Sequence, residues 1–274
     1  MIFAGVDVGS MSAEAVLLED DTIIASSIIV VRPNPVESAT IVMDTVLRET
    51  GLPKEDIGFC VSTGYGREKI SFAQHNVSEI SCHGKGAFWA NPRVRTIIDV
   101  GGQDCKAVRV DGAGDLIDFV MNDKCAGGTG RFLEGIARTF GVHVSELGAM
   151  ALKGVRSVPI SSICTVFTQF DVMVFLAEGR TMEDVALGVA EALAIRVNRL
   201  LFKVGIEDDL CVTGGVAKNT AVVKALETVT GRGVSNLGVD PQIVGALGAA
   251  IFARERYCKL NTTKAAGNEK QRTA

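Results

Sequence analysis

The feature that most constrains this fold is a strand–turn–strand pattern that occurs twice, roughly ninety residues apart. The first copy, "IFAGVDVGS", is an apolar run that ends at Asp7 and turns at Gly9. The second copy, "TIIDVGGQD", ends at Asp99 and turns at Gly101 and Gly102. Two more strand-like runs, separated by a tight turn, follow each copy. The repetition predicts two similar half-domains that face one another.

Helical and strand patterns alternate through the rest of the chain, and the composition fits that alternation. The 274 residues include 30 glycines and are 47% hydrophobic and 5% aromatic, which is typical of a compact α/β protein. A long helix is predicted after Thr181, with Asp184 as the acid of a capping box. We expect a first half-domain over residues 1–95, a second over 96–258 whose last helix can return to the first half, and a disordered tail over 259–274.

Charge, hydropathy and cysteine usage argue against several classes of protein. The net charge of −4 leaves no basic face for nucleic acid. No run approaches the length of about eighteen apolar residues that a membrane span needs, and the first residues carry no basic leader, so neither a span nor a secretory signal is predicted. Seven scattered cysteines, an odd number, argue against a disulfide framework and indicate reduced thiols in a cytoplasmic protein.

An acidic residue at a strand end beside glycines has a specific use with phosphates. Glycines let backbone N–H groups approach phosphate oxygens without an intervening Cβ, and a carboxylate can hold Mg²⁺, usually through water. Asp7 and Asp99 are therefore predicted to flank one polyphosphate from opposite sides. A further glycine turn, "TGG" at 213–215, favours this interpretation over a pair of ordinary tight turns.

Other nucleotide signatures fit poorly. The sequence has no GxxxxGK[ST] motif, and the turns after Asp7 and Asp99 lead into strand patterns and not into helices. Both observations argue against a P-loop or a dinucleotide-binding fold. Residues 127–130, Gly-Gly-Thr-Gly, do open a helix, and the free N–H groups of that helix can attract an anion.

The chain resembles the ATP-dependent activators of 2-hydroxyacyl-CoA dehydratases. The matching segments follow the family order: "GVDVGS", "TGYGR", "EISCHGKGA", "DVGGQD", "MNDKCAGGTGRFLE", "SSICTVF", "VTGGVAKN" and "PQIVGALGAA". The wider family includes the ATP-binding subunits of benzoyl-CoA reductases and reductases of double-cubane cluster proteins. The resemblance covers roughly residues 2–256, and "MNDKCAGGTGRFLE" is highly specific. It implies an α/β, actin-like ATPase fold, shared with acetate and sugar kinases, Hsp70 and actin and related to RNase H.

The resemblance also implies a homodimer with one [4Fe-4S] cluster between its subunits, held by Cys125 and Cys164 of each chain. Such a cluster normally takes four cysteine thiolates. Both cysteines precede predicted helices, whose dipoles favour a thiolate, and a two-fold axis doubles two ligands to four. The implied activity is ATP-driven transfer of one electron to a partner iron–sulfur enzyme, a dehydratase or reductase, with ferredoxin or flavodoxin as donor.

The remaining site residues are carried over from the family by resemblance. Asp7 and Asp99 would organise Mg²⁺, and either Gln103 or Asp104 would position the attacking water. The expected contacts to ATP or ADP lie in the two phosphate turns, at the start of the helix after Cys125 and on the adenosine side: Gly9, Ser10, Met11, Ser12, Gly101, Gly102, Gly127, Gly128, Thr129, Gly214, Gly215, Lys218, Asn219 and Gln242.

Two segments depart from the family pattern. Relatives often have a lysine where this chain has Glu14, and the loss of that positive charge predicts weaker ATP affinity. After Cys164 the family commonly reads "VFAESE", whereas this chain reads "VFTQFD". Because that surface is expected beside the cluster, the identity of the acceptor enzyme stays open.

Two other functions stay open on the same fold. A small-molecule kinase of the sugar-kinase type shares the phosphate loops and needs an acid in the cleft as base toward a substrate hydroxyl. A non-catalytic, ATP-gated binding protein needs nucleotide only to switch an interface. Iron content, turnover of ATP and the need for a phosphate acceptor distinguish the three.

Overall fold

The computed structural model describes residues 1–122, 127–160 and 164–272, with side chains described as far as residue 262. The chain divides into two units, Met1–Gly86 with Ile243–Ala274, and Ala87–Gln242. The last segment of the chain therefore belongs with the first, and the second unit is inserted between them in sequence. Within the described residues, no helix combines the length and the apolar character needed to cross a membrane.

The first unit is built on a five-stranded sheet. Its strands are β1 (Ile2–Val8), β2 (Ser12–Glu19), β3 (Thr22–Val30), β4 (Ile57–Thr63) and β5 (His75–Asn76). Their order in the sheet is β3-β2-β1-β4-β5, in which the first three strands are antiparallel and β4 runs parallel to β1 and β5. Helix α1 (Pro35–Thr50) packs on β1, β2 and β3, and α2 (Glu79–Ala90) begins in this unit.

The second unit repeats this plan with a four-stranded sheet. Its strands are β6 (Thr96–Val100), β7 (Cys105–Val110), β8 (Leu116–Met121) and β9 (Leu210–Thr213), in the order β8-β7-β6-β9. Its helices are α3 (Gly130–Phe140), α4 (Leu147–Ala151), α5 (Thr165–Ala177), α6 (Met182–Val204) and α7 (Thr220–Thr230). The core of this unit lies between the sheet and the buried stripe of α6.

Helix α1 shows how the local sequence sets an element. Asn34 caps its first turn by accepting a hydrogen bond from the N–H of Val36 at 3.0 Å. Pro35 suits the first helical position because a backbone N–H there would have no partner within the helix. Gly51 ends it in the left-handed conformation at φ 69°. The apolar spacing buries one face against the sheet: Ser38, Ala39, Val42, Met43, Val46 and Leu47.

The duplication predicted from the sequence is confirmed at the level of strand register. In the first unit, Asp7 on β1 lies opposite Glu14 on β2 and opposite Thr63 on β4. In the second unit, Asp99 on β6 lies opposite Lys106 on β7 and opposite Thr213 on β9. Each half therefore places one aspartate at the end of its central strand, between an antiparallel and a parallel neighbour.

One capping detail differs from the prediction. Thr181 caps α6 as expected, accepting from the N–H of Asp184 at 3.2 Å. The Asp184 carboxylate does not complete a capping box, because its Oδ1 accepts the N–H groups of Val155 and Arg156, both at 2.8 Å. The acid therefore fastens the loop between α4 and α5 to the start of α6.

The last helix, α8 (Val244–Arg272), continues past residue 259, where the sequence predicted a disordered tail to begin. Residues 244–253 at its start carry no charged side chain, and the helix packs on β1, β2 and β4 of the first unit. Its buried side chains include Val244, Leu247, Ala250 and Ile251.

Candidate functional site

The Asp99 carboxylate lies at the end of β6 and is held on both of its oxygens. Oδ2 is 3.3 Å from Nζ of Lys106, and Oδ1 accepts the hydroxyl of Thr213 at 3.3 Å. Asp99 is buried, with 3% of its surface exposed. Its orientation is therefore fixed by neighbouring strands, and β7 and β9 each supply one contact.

Lys106 joins the strand end to the turn that follows it. Its ammonium also lies 2.7 Å from Oδ1 of Asp104, and both residues are buried. Inside the turn, the N–H of Gly101 donates to the carbonyl of Asp104 at 3.0 Å. Sequence reasoning missed Lys106. The available signal was the lysine in "DVGGQDCK", at a buried position of β7.

The turn of the first unit has the same backbone hydrogen bond. The N–H of Gly9 donates to the carbonyl of Ser12 at 3.0 Å. Between them, Ser10 and Met11 are half-buried, as is Ser12 itself, and the carbonyl of Met11 accepts the N–H of Val31 at 3.0 Å. The two predicted phosphate turns, residues 9–12 and 101–104, thus share one closing bond.

Each unit also places a glycine against its strand-end aspartate. Gly64 follows β4 at φ 82°, and a Cβ there would lie 2.3 Å from Oδ1 of Asp7. Gly214 follows β9 at φ 81°, and a Cβ there would lie 2.8 Å from Oδ1 of Asp99. Only glycine suits this combination of conformation and close approach. The sequence signal was a second repeat, Thr-Gly in "VSTGYG" and in "CVTGGV". Only the second copy was interpreted from the sequence as a turn of the phosphate site.

The Asp7 carboxylate has a different neighbour from that of Asp99. Nε2 of His83, on α2, lies 4.0 Å from Oδ2 of Asp7, and both residues are buried. Glu14, opposite Asp7 in the sheet, is also buried. The charges around the two aspartates therefore differ, although the backbone around them is the same.

The predicted adenosine-side residues occupy the segment after β9 and the loop before α8. Gly215 lies beside Gln242, and Lys218 forms an ion pair with Asp240 at 2.8 Å. Asn219 caps α7, its Oδ1 accepting the N–H of Val222 at 3.1 Å. The structure thus brings Gly214, Gly215 and Gln242 together, and their contact with nucleotide stays a prediction.

The start of α3 is hydrogen-bonded to the turn after Asp99. The N–H of Gly130 donates to the carbonyl of Gly101 at 2.8 Å, and the N–H of Arg131 donates to the carbonyl of Gly102 at 2.9 Å. These donors are therefore not the free anion-binding groups that the sequence suggested. Gly127, Gly128 and Thr129, which precede the helix, are buried, and their assignment to nucleotide stays a prediction.

Of the six described cysteines, Cys164 and Cys258 are exposed and the other four are buried, and the role of Cys164 as an iron–sulfur ligand stays a prediction. Cys164 occupies the N-cap of α5. Burial raises the pKa of Cys60 to about 12 and also raises the pKa values of Cys82, Cys105 and Cys211. Those four thiols are therefore protonated and inert. Cys125 lies outside the described residues.

The surface of α5 that begins at Cys164 is unusually apolar. Four of its large apolar side chains are more than half exposed: Val166, Phe167, Phe170 and Met173. Phe170 lies in the "TQFD" segment, where the sequence departs from the family pattern. Exposed apolar side chains concentrated on one helix are typical of a protein–protein contact.

Comparison with known proteins relates most of the chain to one family. The model described as the BadF/BadG/BcrA/BcrD ATPase family matches residues 4–253. The activator of lactoyl-CoA dehydratase from Anaerotignum propionicum is 43% identical over 255 residues, which cover 93% of this chain and 98% of the relative.

Solved structures of related activators share the fold of this chain. The activator of the 2-hydroxyisocaproyl-CoA dehydratase from Clostridium difficile with bound ADPNP superposes with a TM-score of 0.91 at 38% identity, over 96% of this chain and 98% of that one. A ROK family glucokinase from Streptomyces griseus in complex with glucose and AMPPNP has a TM-score of 0.55 at 14% identity, over 93% of this chain and 100% of that one, and shares the fold alone. The predicted actin-like ATPase fold is confirmed.

Proposed function

This chain belongs to the BadF/BadG/BcrA/BcrD ATPase family, and we propose that it is a homodimeric ATPase that uses ATP hydrolysis to deliver one electron at low potential to a partner iron–sulfur enzyme. The observation that carries the proposal is the hydrogen bonding of the turn after Asp99 to the start of α3. That helix follows Cys125 closely in sequence. The turn that we propose binds phosphate is thus hydrogen-bonded to a helix that begins shortly after a proposed cluster ligand in the sequence.

In the proposed nucleotide site, Asp7 and Asp99 hold Mg²⁺ through its water shell, which that ion sheds reluctantly. The backbone N–H groups of turns 9–12 and 101–104 approach the phosphates, as glycine-rich turns do in other anion sites. Of the two candidates for positioning the attacking water, Gln103 is exposed, whereas Asp104 is buried with its carboxylate on Lys106. This difference supports Gln103.

In the proposed redox site, Cys164 and Cys125 of two copies supply four thiolates to one [4Fe-4S] cluster. The exposed thiol of Cys164 at a helix N-terminus fits that group. When bound, the cluster supplies one-electron chemistry at a potential that depends on exposure, charge and hydrogen bonds.

The proposed coupling runs through the chain's own hydrogen bonds. Loss of the γ-phosphate removes contacts from the turn after Asp99, and turns that bind a γ-phosphate commonly rearrange when it leaves. Because Gly130 and Arg131 donate to the carbonyls of that turn, a shift of the turn moves the start of α3. Movement there reaches the segment that contains Cys125.

We propose a 2-hydroxyacyl-CoA dehydratase or a related reductase as the electron acceptor, because a relative 43% identical to this chain is named as the activator of lactoyl-CoA dehydratase. The donor is proposed to be ferredoxin or flavodoxin. The apolar surface of α5 near Cys164 suits contact with a protein. Phe170 on that surface lies in the segment where this chain departs from the family pattern.

Anaerobic purification tests the proposal. We expect a brown dimer with about four irons that bleaches on reduction and hydrolyses ATP slowly without a phosphate acceptor. Cys164→Ala should lose the iron and the electron transfer while keeping nucleotide binding. Cys258→Ala, which removes the other exposed described cysteine, is the matched control and should keep both.

Other outcomes would identify other functions. A colourless protein that phosphorylates a metabolite would be a kinase, and a protein with iron but without turnover would be a switch. Full iron content in Cys164→Ala would show that the ligand assignment is wrong.

A further inference from the structure

We propose that Lys106 is a positioning residue for ATP hydrolysis, whose ammonium fixes the carboxylates of Asp99 and Asp104 in the geometry that the reaction needs. The inference rests on the proposed function, because it assumes that these carboxylates serve a MgATP site. Lys106 does not itself contact nucleotide in this proposal. It acts through the two aspartates.

Lys106 contacts two carboxylates at a buried position. Nζ of Lys106 lies 2.7 Å from Oδ1 of Asp104 and 3.3 Å from Oδ2 of Asp99, and the lysine is 3% exposed. Lysine is almost never this buried unless it is paired. Desolvating such groups costs several kcal/mol per ion, and apolar replacements are often as stable or more stable, so a buried ion pair is weak evidence of a stabilising role. A buried cluster of one ammonium and two carboxylates points to function.

The two units form the same turn but differ at the register position of Lys106. The first unit forms the same turn, with Gly9 donating to Ser12 as Gly101 donates to Asp104. At the register position of Lys106, however, it has Glu14. A lysine is therefore not needed to form this turn, and its role concerns the carboxylates beside it.

The contacts of Lys106 fix the orientation of both carboxylates. Asp99 is held by Lys106 on Oδ2 and by Thr213 on Oδ1, so its plane is set before any cation arrives. Asp104 is anchored inside the turn by the same ammonium, which leaves the exposed Gln103 as the side chain available to the water. Groups that are oriented in advance need no reorganisation during the reaction.

The central test is Lys106→Met, measured by steady-state hydrolysis of MgATP. Removal of a residue that orients a metal-site ligand typically costs 10–100-fold, so we expect kcat to fall by about that factor and the Mg²⁺ concentration for half-maximal rate to rise. Lys85→Met is the matched control: Lys85 is a comparably buried lysine, 3.6 Å from Glu255, outside the proposed machinery. It should keep kcat near the wild-type value.

A second variant distinguishes a positioning role of Lys106 from simple neutralisation of charge. It also provides a test if Lys106→Met alone folds poorly. Asp104→Asn with Lys106→Met removes one charge of each sign and leaves the formal charge of the cluster unchanged. Positioning predicts that kcat stays low in this folded, charge-balanced protein. Recovery of kcat would show that Lys106 only neutralises charge and would overturn the proposal.

The failures of the two proposals are distinguishable. Wild-type kcat in Lys106→Met, in a protein that hydrolyses ATP, would overturn the role of Lys106 and leave the proposed function intact. Absence of ATP hydrolysis in the wild-type protein would overturn the proposed function and this inference together.

Discussion

At the scale of single residues, the two predicted phosphate turns share a closing hydrogen bond but differ in the charges of the residues beside them. Both close with the same backbone hydrogen bond, and both strand ends face a Thr-Gly pair. The second unit places a buried ammonium beside its carboxylates, whereas the first places Glu14 directly opposite Asp7. Opposed positions on antiparallel strands bring Cβ atoms about 4.5–5.5 Å apart, and like charges there are unfavourable.

Glu14→Gln should therefore tighten the binding of MgATP. The change keeps the size of the side chain and removes one negative charge near the proposed phosphate site. We expect the Kd to fall about 2–10-fold, which corresponds to about 0.4–1.4 kcal/mol. Calorimetric titration with a non-hydrolysable analogue measures it, and Glu19→Gln, an exposed change at the end of β2, is the control. An unchanged or larger Kd would show that Glu14 does not act on the phosphates.

The residues that sequence reasoning found and missed share a physical explanation. Asp7 and Asp99 could be predicted because each stands beside its glycine turn in the chain. Thr213 is more than a hundred residues from Asp99 and meets it only through the pairing of β6 with β9. Lys106 is close in sequence, but its inward orientation depends on the register of β7. Contacts that arise from strand pairing are visible only in the folded chain.

At the scale of elements, the local sequence predicted where helices and strands form. It did not predict which partners form hydrogen bonds with the polar groups at the helix ends. The cap of α6 formed as predicted, yet its acid bonds to the loop at Val155 and Arg156. The start of α3 also formed as predicted, yet Gly130 and Arg131 donate to a neighbouring turn and not to an anion. Which partner satisfies a helix end depends on which loop folds against it.

Asp184→Ala should loosen the loop before α5 without melting α6. The two backbone N–H bonds, chiefly that from Arg156, hold the pKa of Asp184 below its ordinary value. Because the folded pKa is lowered, the stabilisation is present above the unfolded pKa of about 3.9 and is lost as pH falls through the folded pKa. The melting temperature of the variant should therefore be lower at neutral pH and equal to wild type in strong acid.

Hydrogen exchange gives a local measure of the same change. At neutral pH, peptides containing Val155 and Arg156 should exchange faster in Asp184→Ala, while peptides from the centre of α6 should not. Glu183→Ala changes the adjacent acid of the first turn and is the control. Equal protection in the two variants would contradict the role assigned to Asp184.

At the scale of the whole molecule, the chain brings its two ends into one unit, and the segment with Cys164 belongs to the other. Met1–Gly86 and Ile243–Ala274 form the first unit, whereas Cys164 and the α3 start belong to the second. The return of α8 to the first sheet was left open by the sequence, since its apolar face would suit either half. With two ligands in one chain and four required, the proposed redox centre demands a second copy.

Removal of iron should therefore dissociate the dimer. Anaerobic treatment with a strong chelator is expected to convert a dimer to monomers in light scattering coupled to size-exclusion chromatography, because the shared thiolate bonds are lost. Each monomer should still bind ATP, since the aspartate turns of both units lie apart from the cysteines in sequence. Cys258→Ala with its iron intact should remain a dimer. A dimer that persists without iron would mean that protein contacts, such as the apolar surface of α5, hold the two copies together by themselves.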